Sequence, residues 1–295
     1  MKIYKFKANK DYDKARYFLL EIGLSSNLIK SITKEMGQII KNGTSIRVNE
    51  RISKNDTIEI HFKEQEQNLI VPILYNLDIT YEDDYFIVIN KPNEIATIPS
   101  YCNYTNSLAN YVTYYMQNKE KDFLFRAVNR LDKETSGLVL VCKDLVVYNL
   151  LELNKIIKKY EVITTGKLKK QIINKCIATI KTNDDRNEIK RIISKNGKPA
   201  ITQILCTKYN RKHNMSYATI KLHTGRTHQI RVHLSSINNS ILGDNLYGTK
   251  KADRMYLNCY YLKFYHPILK KNITIKRKIF LEQFKLLGNQ VQHIL

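Results

Sequence analysis

A chain of 295 residues with 49 Lys and Arg against 27 Asp and Glu carries a formal charge of +22, and 43% of it is hydrophobic. That apolar share excludes a largely disordered basic chain. The charge favours a polyanionic partner, nucleic acid first, because neutralised phosphates release counterions. Free use of Lys, Ile and Asn also fits an AT-rich coding sequence, so the charge supports nucleic acid without establishing it. The length suits one large domain with a small companion.

The cysteines Cys102, Cys142, Cys176, Cys206 and Cys259 are odd in number, scattered and never in a C-x-x-C pair. They read as reduced thiols of a cytosolic protein, not as a disulfide framework or a zinc ribbon. Met1 to Lys10 is basic without an apolar core, so it is no signal peptide, and no apolar run approaches the ~18 residues of a membrane span. The expectation is a soluble cytoplasmic protein without a membrane partner.

In chain order, Tyr12, Ala15, Leu19 and Ile22 are spaced for a helix over 12–22 with Gly23 at its end. Ser25 or Ser26 then caps a second helix carrying Leu28, Ile29 and Ile32 on one face, closed by Gly37. Asn42-Gly43 signals a tight turn, after which Ile46, Val48, Ile58, Ile60 and Phe62 alternate like half-buried strands. These elements make a small unit over 1–63. Residues 64–76 are polar up to Pro72 and read as a linker, and 77–295 form the large domain. There, 86–89 and 138–141 read as central strands, 146–158 as a helix, and 200–234 and 255–280 as further strands. The order predicts an α+β fold, not a βαβ repeat.

Three segments carry candidate chemistry. Asn129 to Leu140 puts a polar loop, with Arg130, Asp132, Lys133, Thr135 and Ser136, directly before Gly137 and a strand, the kind of support that fixes reactive groups in place. On chemistry alone, Asp132 as a hydrogen-bonded tie of its own loop outweighs Asp132 as a reactive carboxylate. Leu222 to Leu234 holds His223, His228 and His233. On a strand, intervals of five put His228 on the opposite face from the other two, and the segment has no carboxylate, so no metal is expected. Arg226, Thr227 and Arg231 fit an anion grip better. Lys158-Lys159-Tyr160 enters a strand, where a lone Tyr is most often core. Tyr101, Tyr104, Tyr111, Tyr114 and Tyr115 offer stacking faces for bases, but their spacing equally suits a packed helix face, and that reading weighs more. No G-x-G-x-x-G, P-loop or G-x-S-x-G motif occurs.

Taken together, these segments resemble one family, the RluA-type pseudouridine synthases. Arg130-Leu131-Asp132 with Thr135-Ser136-Gly137 resembles the family's R-L-D-x-x-T-S-G signature, and Thr224 to His233 (T-G-R-T-H-Q-I-R-V-H) resembles its third motif, followed by Gly243 to Gly248 (G-D-N-L-Y-G). Tyr81 to Pro92 is similar to the opening motif, Lys159-Tyr160 to the central pair, Gly197 to Thr202 to a family segment, and Leu262 to Pro267 to the closing strand. The resemblance spans about 77–284. Residues 1–63 are similar to an S4-type RNA-binding module, a looser match. Asn129 replaces a commoner His, and Asn258-Cys259 replaces a commoner His-Ala.

The resemblance implies a mixed, mostly antiparallel central sheet preceded by an S4-like α/β module on a flexible tether. It implies isomerisation of uridine to pseudouridine in structured RNA, ribosomal before transfer RNA, without cofactor or metal, by a monomer. Asp132 would be the essential carboxylate, attacking C1′ or removing the C2′ proton. Arg231 would pair with it, and Tyr160 would stack beneath the target base and assist removal of the C5 proton. Arg130 would fill the place of the flipped nucleotide, and Lys133, Thr135, Arg226, Thr227 and His228 would contact RNA. A non-catalytic RNA-binding or chaperone protein on the same fold is the alternative. A small-substrate hydrolase using Asp132 and His228, fused to an RNA-binding module, is another.

Overall fold

The computed structural model describes residues 1–64, 69–100, 104–119, 123–152, 155–181 and 189–290. The basic opening is a strand, β1 (Lys2–Lys7): Tyr4 is buried and Phe6 half-buried, while Lys5 and Lys7 face solvent. Two short helices follow, α1 (Ala15–Glu21) and α2 (Ser26–Ser31). Ser25 caps α2 by accepting the Leu28 N–H at 3.3 Å. A π-helical turn over 32–36 leads to β2 (Gly37–Lys41), β3 (Thr44–Ile46) and β4 (Thr57–Phe62). Asn42 and Gly43 both have positive φ, 49° and 88°, the backbone of a two-residue hairpin turn between β2 and β3. Val48 lies in a turn instead of a strand. The four strands form one antiparallel sheet in the order β1-β4-β2-β3, a small α/β unit that fits an S4-like module.

The large domain runs β5 (Ile79–Glu82), β6 (Phe86–Lys91), α3 (Leu108–Gln117), β7 (Arg126–Ala127), β8 (Ser136–Cys142), α4 (Leu145–Leu150), β9 (Ile157–Thr165), β10 (Ile172–Asn174), β11 (Ile177–Lys181), β12 (Ile189–Ile193), β13 (Ile201–Asn210), β14 (Met215–Leu222), α5 (Gln229–Ser235), β15 (Leu257–His266), β16 (Lys271–Lys276) and α6 (Phe280–Gln290). Its main sheet is ordered β10-β13-β14-β9-β15-β8-β6-β5, with β16 on β15 and β7 on β8. Every pairing is antiparallel except β15 with β8. The fold is therefore α+β on a mixed, mostly antiparallel sheet. At the parallel contact Gly137 has φ +115°, and a Cβ there would lie 2.4 Å from the Cys259 carbonyl oxygen. Only glycine lets β15 approach so closely.

Alternation along the central strands assigns the two faces of the sheet. Phe86, Val88, Leu138, Leu140 and Cys142 point one way, joining α4 and the core of the N-terminal unit in one apolar cluster. Ile87, Ile89, Val139 and Val141 point the other way, against α3, α5 and Tyr160. Burial on both sides explains why β6 and β8 are unbroken apolar runs. α6 covers Ile163 and Tyr217 through Phe280 and Phe284.

Three expectations need correction. The helix predicted over 146–158 is the short α4, and the chain is already extended at Ile157; residues 153 and 154 lie outside the described residues. Residues 229–234, expected as strand, belong to α5 (Gln229–Ser235). The tether is docked where it is described: Asn110 Nδ2 donates to the Val71 carbonyl at 2.8 Å, Ile73 N–H donates to the Asn110 carbonyl at 3.2 Å, and Tyr75 stacks on Tyr111 at 4.3 Å. The N-terminal unit itself is fastened to α4. The Tyr4 hydroxyl donates to Asp144 at 2.5 Å and the Ser25 N–H donates to the Asn149 side chain at 3.1 Å. No helix among the described residues is long and apolar enough to cross a membrane.

Candidate active site

A cleft of about 1140 Å³ opens beside α5, and its lining includes every site residue expected from the sequence: Arg130, Asp132, Lys133, Thr135, Tyr160, Arg226, Thr227, His228 and Arg231. The loop carrying Asp132 is held from below. Thr97 Oγ1 donates to the Leu131 carbonyl at 2.7 Å and accepts the Leu131 N–H at 3.0 Å. Thr135 N–H closes the turn onto the Asp132 carbonyl at 3.1 Å. The fully buried Lys91 donates to three carbonyls, those of Pro92, Ile95 and Lys133, at 2.9, 2.6 and 3.1 Å. Burial pushes its ammonium down to about 7, partly offset by the charges of Asp132, Glu134 and Glu94. Asn129 clips the loop to β8, donating to the Leu138 carbonyl at 3.1 Å and accepting the Leu140 N–H at 2.9 Å. Asn258 likewise links three elements, accepting from Ser136 and donating to Glu161 and to the Arg277 carbonyl. At both departures from the family pattern an Asn thus ties neighbouring segments together.

Asp132 stands at the mouth of this support with 28% of its side chain exposed. Arg231 Nη1 faces it at 3.8 Å, but the firmer partner of Arg231 is Asp244. Nε and Nη2 of Arg231 donate to the two Asp244 oxygens at 2.8 Å each, and Glu134 lies 3.4 Å from Nη1. Burial opposes the guanidinium charge, and the Asp244 bonds with the fields of Asp132 and Glu134 outweigh it, so Arg231 is held above its ordinary value. Asp244 moves the opposite way: burial favours its neutral form, but the Arg231 bonds and the N–H groups of Tyr247 and Leu246 hold it low. The expected pairing of Arg231 with Asp132 is therefore the looser half of an arrangement centred on Asp244.

His228 approaches the same carboxylate oxygen as Arg231, with Nε2 4.0 Å from Asp132 Oδ2. It precedes α5 in the left-handed region, φ 55°, without a side-chain cap. Gln229 fixes the approach to the helix by accepting from Thr224 and the Arg226 N–H, and by donating to the Ile201 carbonyl and Thr202. Tyr160 is 6% exposed, paired in register with Cys259 and Ile220. Burial pushes its phenol well above the usual range, so it is protonated at neutral pH. Arg130, Lys133, Arg226 and Thr227 are exposed on the rim. Thr135, at 2% exposure and with no hydrogen-bond partner for its hydroxyl among the described residues, sits in the floor and presents almost no surface for an RNA contact.

The expectation that His223, His228 and His233 alternate across a strand fails because α5 begins at Gln229. His233 is buried, bonded to Thr202 and to the Lys175 carbonyl. Tyr101 lies outside the described residues. Tyr111 and Tyr115 belong to α3, the latter bonded to Glu82, so the tyrosine cluster is in large part helix packing. Asp244, Tyr247, Gln229 and Lys91 had no role assigned from the sequence. The segment G-D-N-L-Y-G marked the first two as part of a motif, but their partners come from other elements.

Fold and site together define an enzyme whose acidic centre sits in a basic, open cleft. Residues 85–236 match the family model described as RNA pseudouridylate synthase. The chain is 36% identical over 239 residues to the RNA pseudouridine synthase YhcT of Bacillus subtilis, covering 78% of each chain. It is 31% identical over 265 residues to the ribosomal large subunit pseudouridine synthase D of Neisseria meningitidis serogroup A, covering 82% of this chain and 69% of that one. The solved structure of human RNA pseudouridylate synthase domain containing 1 shares the fold, with a TM-score of 0.54 and 22% identity over 73% of this chain and 86% of that one. The chain belongs to the RNA pseudouridylate synthase family, RluA type, and is an isomerase acting on RNA.

Proposed function

We propose that this isomerase converts uridine to pseudouridine in ribosomal RNA, with Asp132 as the essential carboxylate. The observation that carries the reading is the placement of Asp132: half-exposed on a loop tied down by Thr97, Lys91 and Asn129, between Arg231 and His228. A carboxylate serving only as a loop tie would spend its oxygens on its own backbone, as Asp83 does with the Tyr85 and Phe86 N–H groups. Asp132 instead turns its oxygens into the cleft, where an extruded nucleotide can reach them.

The reaction breaks the N1–C1′ bond, turns the base and joins C5 to C1′; N1 gains a proton and C5 loses one, so no redox partner or activated donor is required. Asp132 either attacks C1′ or removes the C2′ proton, and Arg231 holds the carboxylate in its aim. Tyr160, protonated, serves as a stacking face for the base and as a hydrogen-bond donor. Arg130, exposed at the rim, fills the stack left by the flipped nucleotide, a step that otherwise costs a few kcal/mol. Lys133, Arg226 and Thr227 hold the RNA backbone, and the N-terminal unit adds contacts away from the target uridine.

Ribosomal RNA is favoured because a relative matched over most of this chain carries large-subunit synthase D as its name. The test is tritium release from RNA labelled at uridine C5, isolated from cells lacking the protein and separated into ribosomal and transfer fractions. Release from the ribosomal fraction alone is expected. Release from transfer RNA alone would reassign the substrate, and no release from either would favour a non-catalytic RNA-binding role.

A further inference from the structure

We propose that Tyr247 is a positioning residue for Asp132 that acts through His228: its hydroxyl decides which imidazole nitrogen carries the proton and so turns Nε2–H toward the carboxylate. The inference rests on the assignment of Asp132 to the reaction. It begins at the hairpin β11–β12, where the Arg191 backbone N–H meets the Tyr247 hydroxyl oxygen at 2.8 Å. A backbone N–H only donates, so the phenol accepts at that contact. Its own proton is left for His228 Nδ1, 3.0 Å away, the only other hydrogen-bond partner of that hydroxyl among the described residues. Nδ1 is then an acceptor, and the proton of the neutral ring sits on Nε2, the nitrogen 4.0 Å from Asp132 Oδ2.

The surroundings fix both rings. Asp244 Oδ1 accepts the Tyr247 N–H at 3.1 Å while its carboxylate grips Arg231, so one buried residue sets the places of both neighbours. The Arg231 guanidinium lies over the Tyr247 ring at 5.3 Å, and the His228 ring meets that ring edge-on at 5.7 Å. His228 holds a left-handed backbone, a conformation that persists in a non-glycine residue only where its surroundings over-determine it. Burial keeps the imidazole below its usual range and Arg231 pushes the same way, against Asp132, Glu134 and Asp244. With Tyr247, these are the groups that act on the ring among the described residues, and a neutral ring is the form able to accept at Nδ1.

The test uses the full chain with ¹⁵N-labelled histidine and single-turnover kinetics on labelled ribosomal RNA. In the native protein the His228 resonances should show a bare Nδ1 and a protonated Nε2. Tyr247→Phe should mix the tautomers and slow the bound step about tenfold, the scale of one lost hydrogen bond, with RNA affinity unchanged. His228→Gln should slow it comparably, and the double variant should fall no further than either single one, as members of one relay do. A protonated Nδ1 in the native protein overturns the proposal. So do additive losses, or an effect confined to RNA affinity. If the native protein releases no tritium, the enzymatic reading of Asp132 fails, while the tautomer spectrum still decides the relay.

Discussion

Asp244 shows how much of this site rests on one buried contact. Its side chain is fully buried and that of Arg231 only 3% exposed, with two bonds of 2.8 Å between them. Replacing one partner strands the other charge away from water, a loss of about 3–5 kcal/mol in comparable pairs. Arg231→Met should therefore lower stability by that amount and abolish isomerisation, whereas Arg231→Lys, keeping the charge but not the fork, should fall between. Denaturant midpoints of the three proteins check this, and a Met variant as stable as the native protein contradicts it. That Asp132, Arg231, His228 and Tyr160 meet in one cleft was legible only through the family resemblance, because each sits inside a matching motif. The grip of Asp244 on Arg231 and the contact of Tyr247 with His228 were not, since each is made only when the turn over 244–248 folds back onto α5.

At the scale of elements, local chemistry was legible wherever one residue dictates a backbone state. Asn42-Gly43 announced its hairpin, Ser25 its cap, and the apolar runs of β6 and β8 their place in the sheet. β1 was missed because Lys2, Lys5 and Lys7 read as a charged tail, although Tyr4 and Phe6 alternate with Lys5 and Lys7 and turn inward. α5 was missed because the residue before it, His228, caps it with neither a hydroxyl nor a carboxylate, so no start signal marks the helix. The corner between β5, α3 and β8 makes a pH-dependent prediction. Burial of Glu82 favours its neutral form, but bonds from Lys143 (2.9 Å), Tyr115 (2.7 Å) and Lys119 (3.0 Å) prevail and hold the carboxyl at about 2, below its ordinary 4.5. A depressed carboxyl contributes stability above its unfolded value and loses it as pH falls through the window from 4.5 to about 2. Glu82→Gln should thus be less stable at neutral pH and lose less across that window, measured by urea midpoints at a series of pH values. Parallel curves for the two proteins would rule this out.

The whole molecule is one continuous packing problem rather than a module on a tether. The N-terminal unit shares its core with α4 and with Phe86, Val88, Leu140, Leu262 and Phe264 of the sheet. Composition suggested a boundary near residue 63 but gave no sign of the docking, which depends on which sheet face α4 leaves to be covered. Deleting residues 1–63 should therefore bare apolar surface and lower the melting temperature by about 5 °C or more, over and above any loss of RNA affinity. An unchanged melting temperature would show that the interface contributes little.

The central claim is that Asp132 carries the isomerisation within an otherwise intact cleft. The most direct measurement is tritium release from C5-labelled ribosomal RNA by the native protein and by Asp132→Asn, alongside their RNA affinities at one salt concentration. Release by the native protein alone, with affinities equal to within about twofold, is the predicted result. Release by the Asn variant at a comparable rate would contradict the account, because it would leave the half-exposed carboxylate beside Arg231 and His228 without a part in the chemistry.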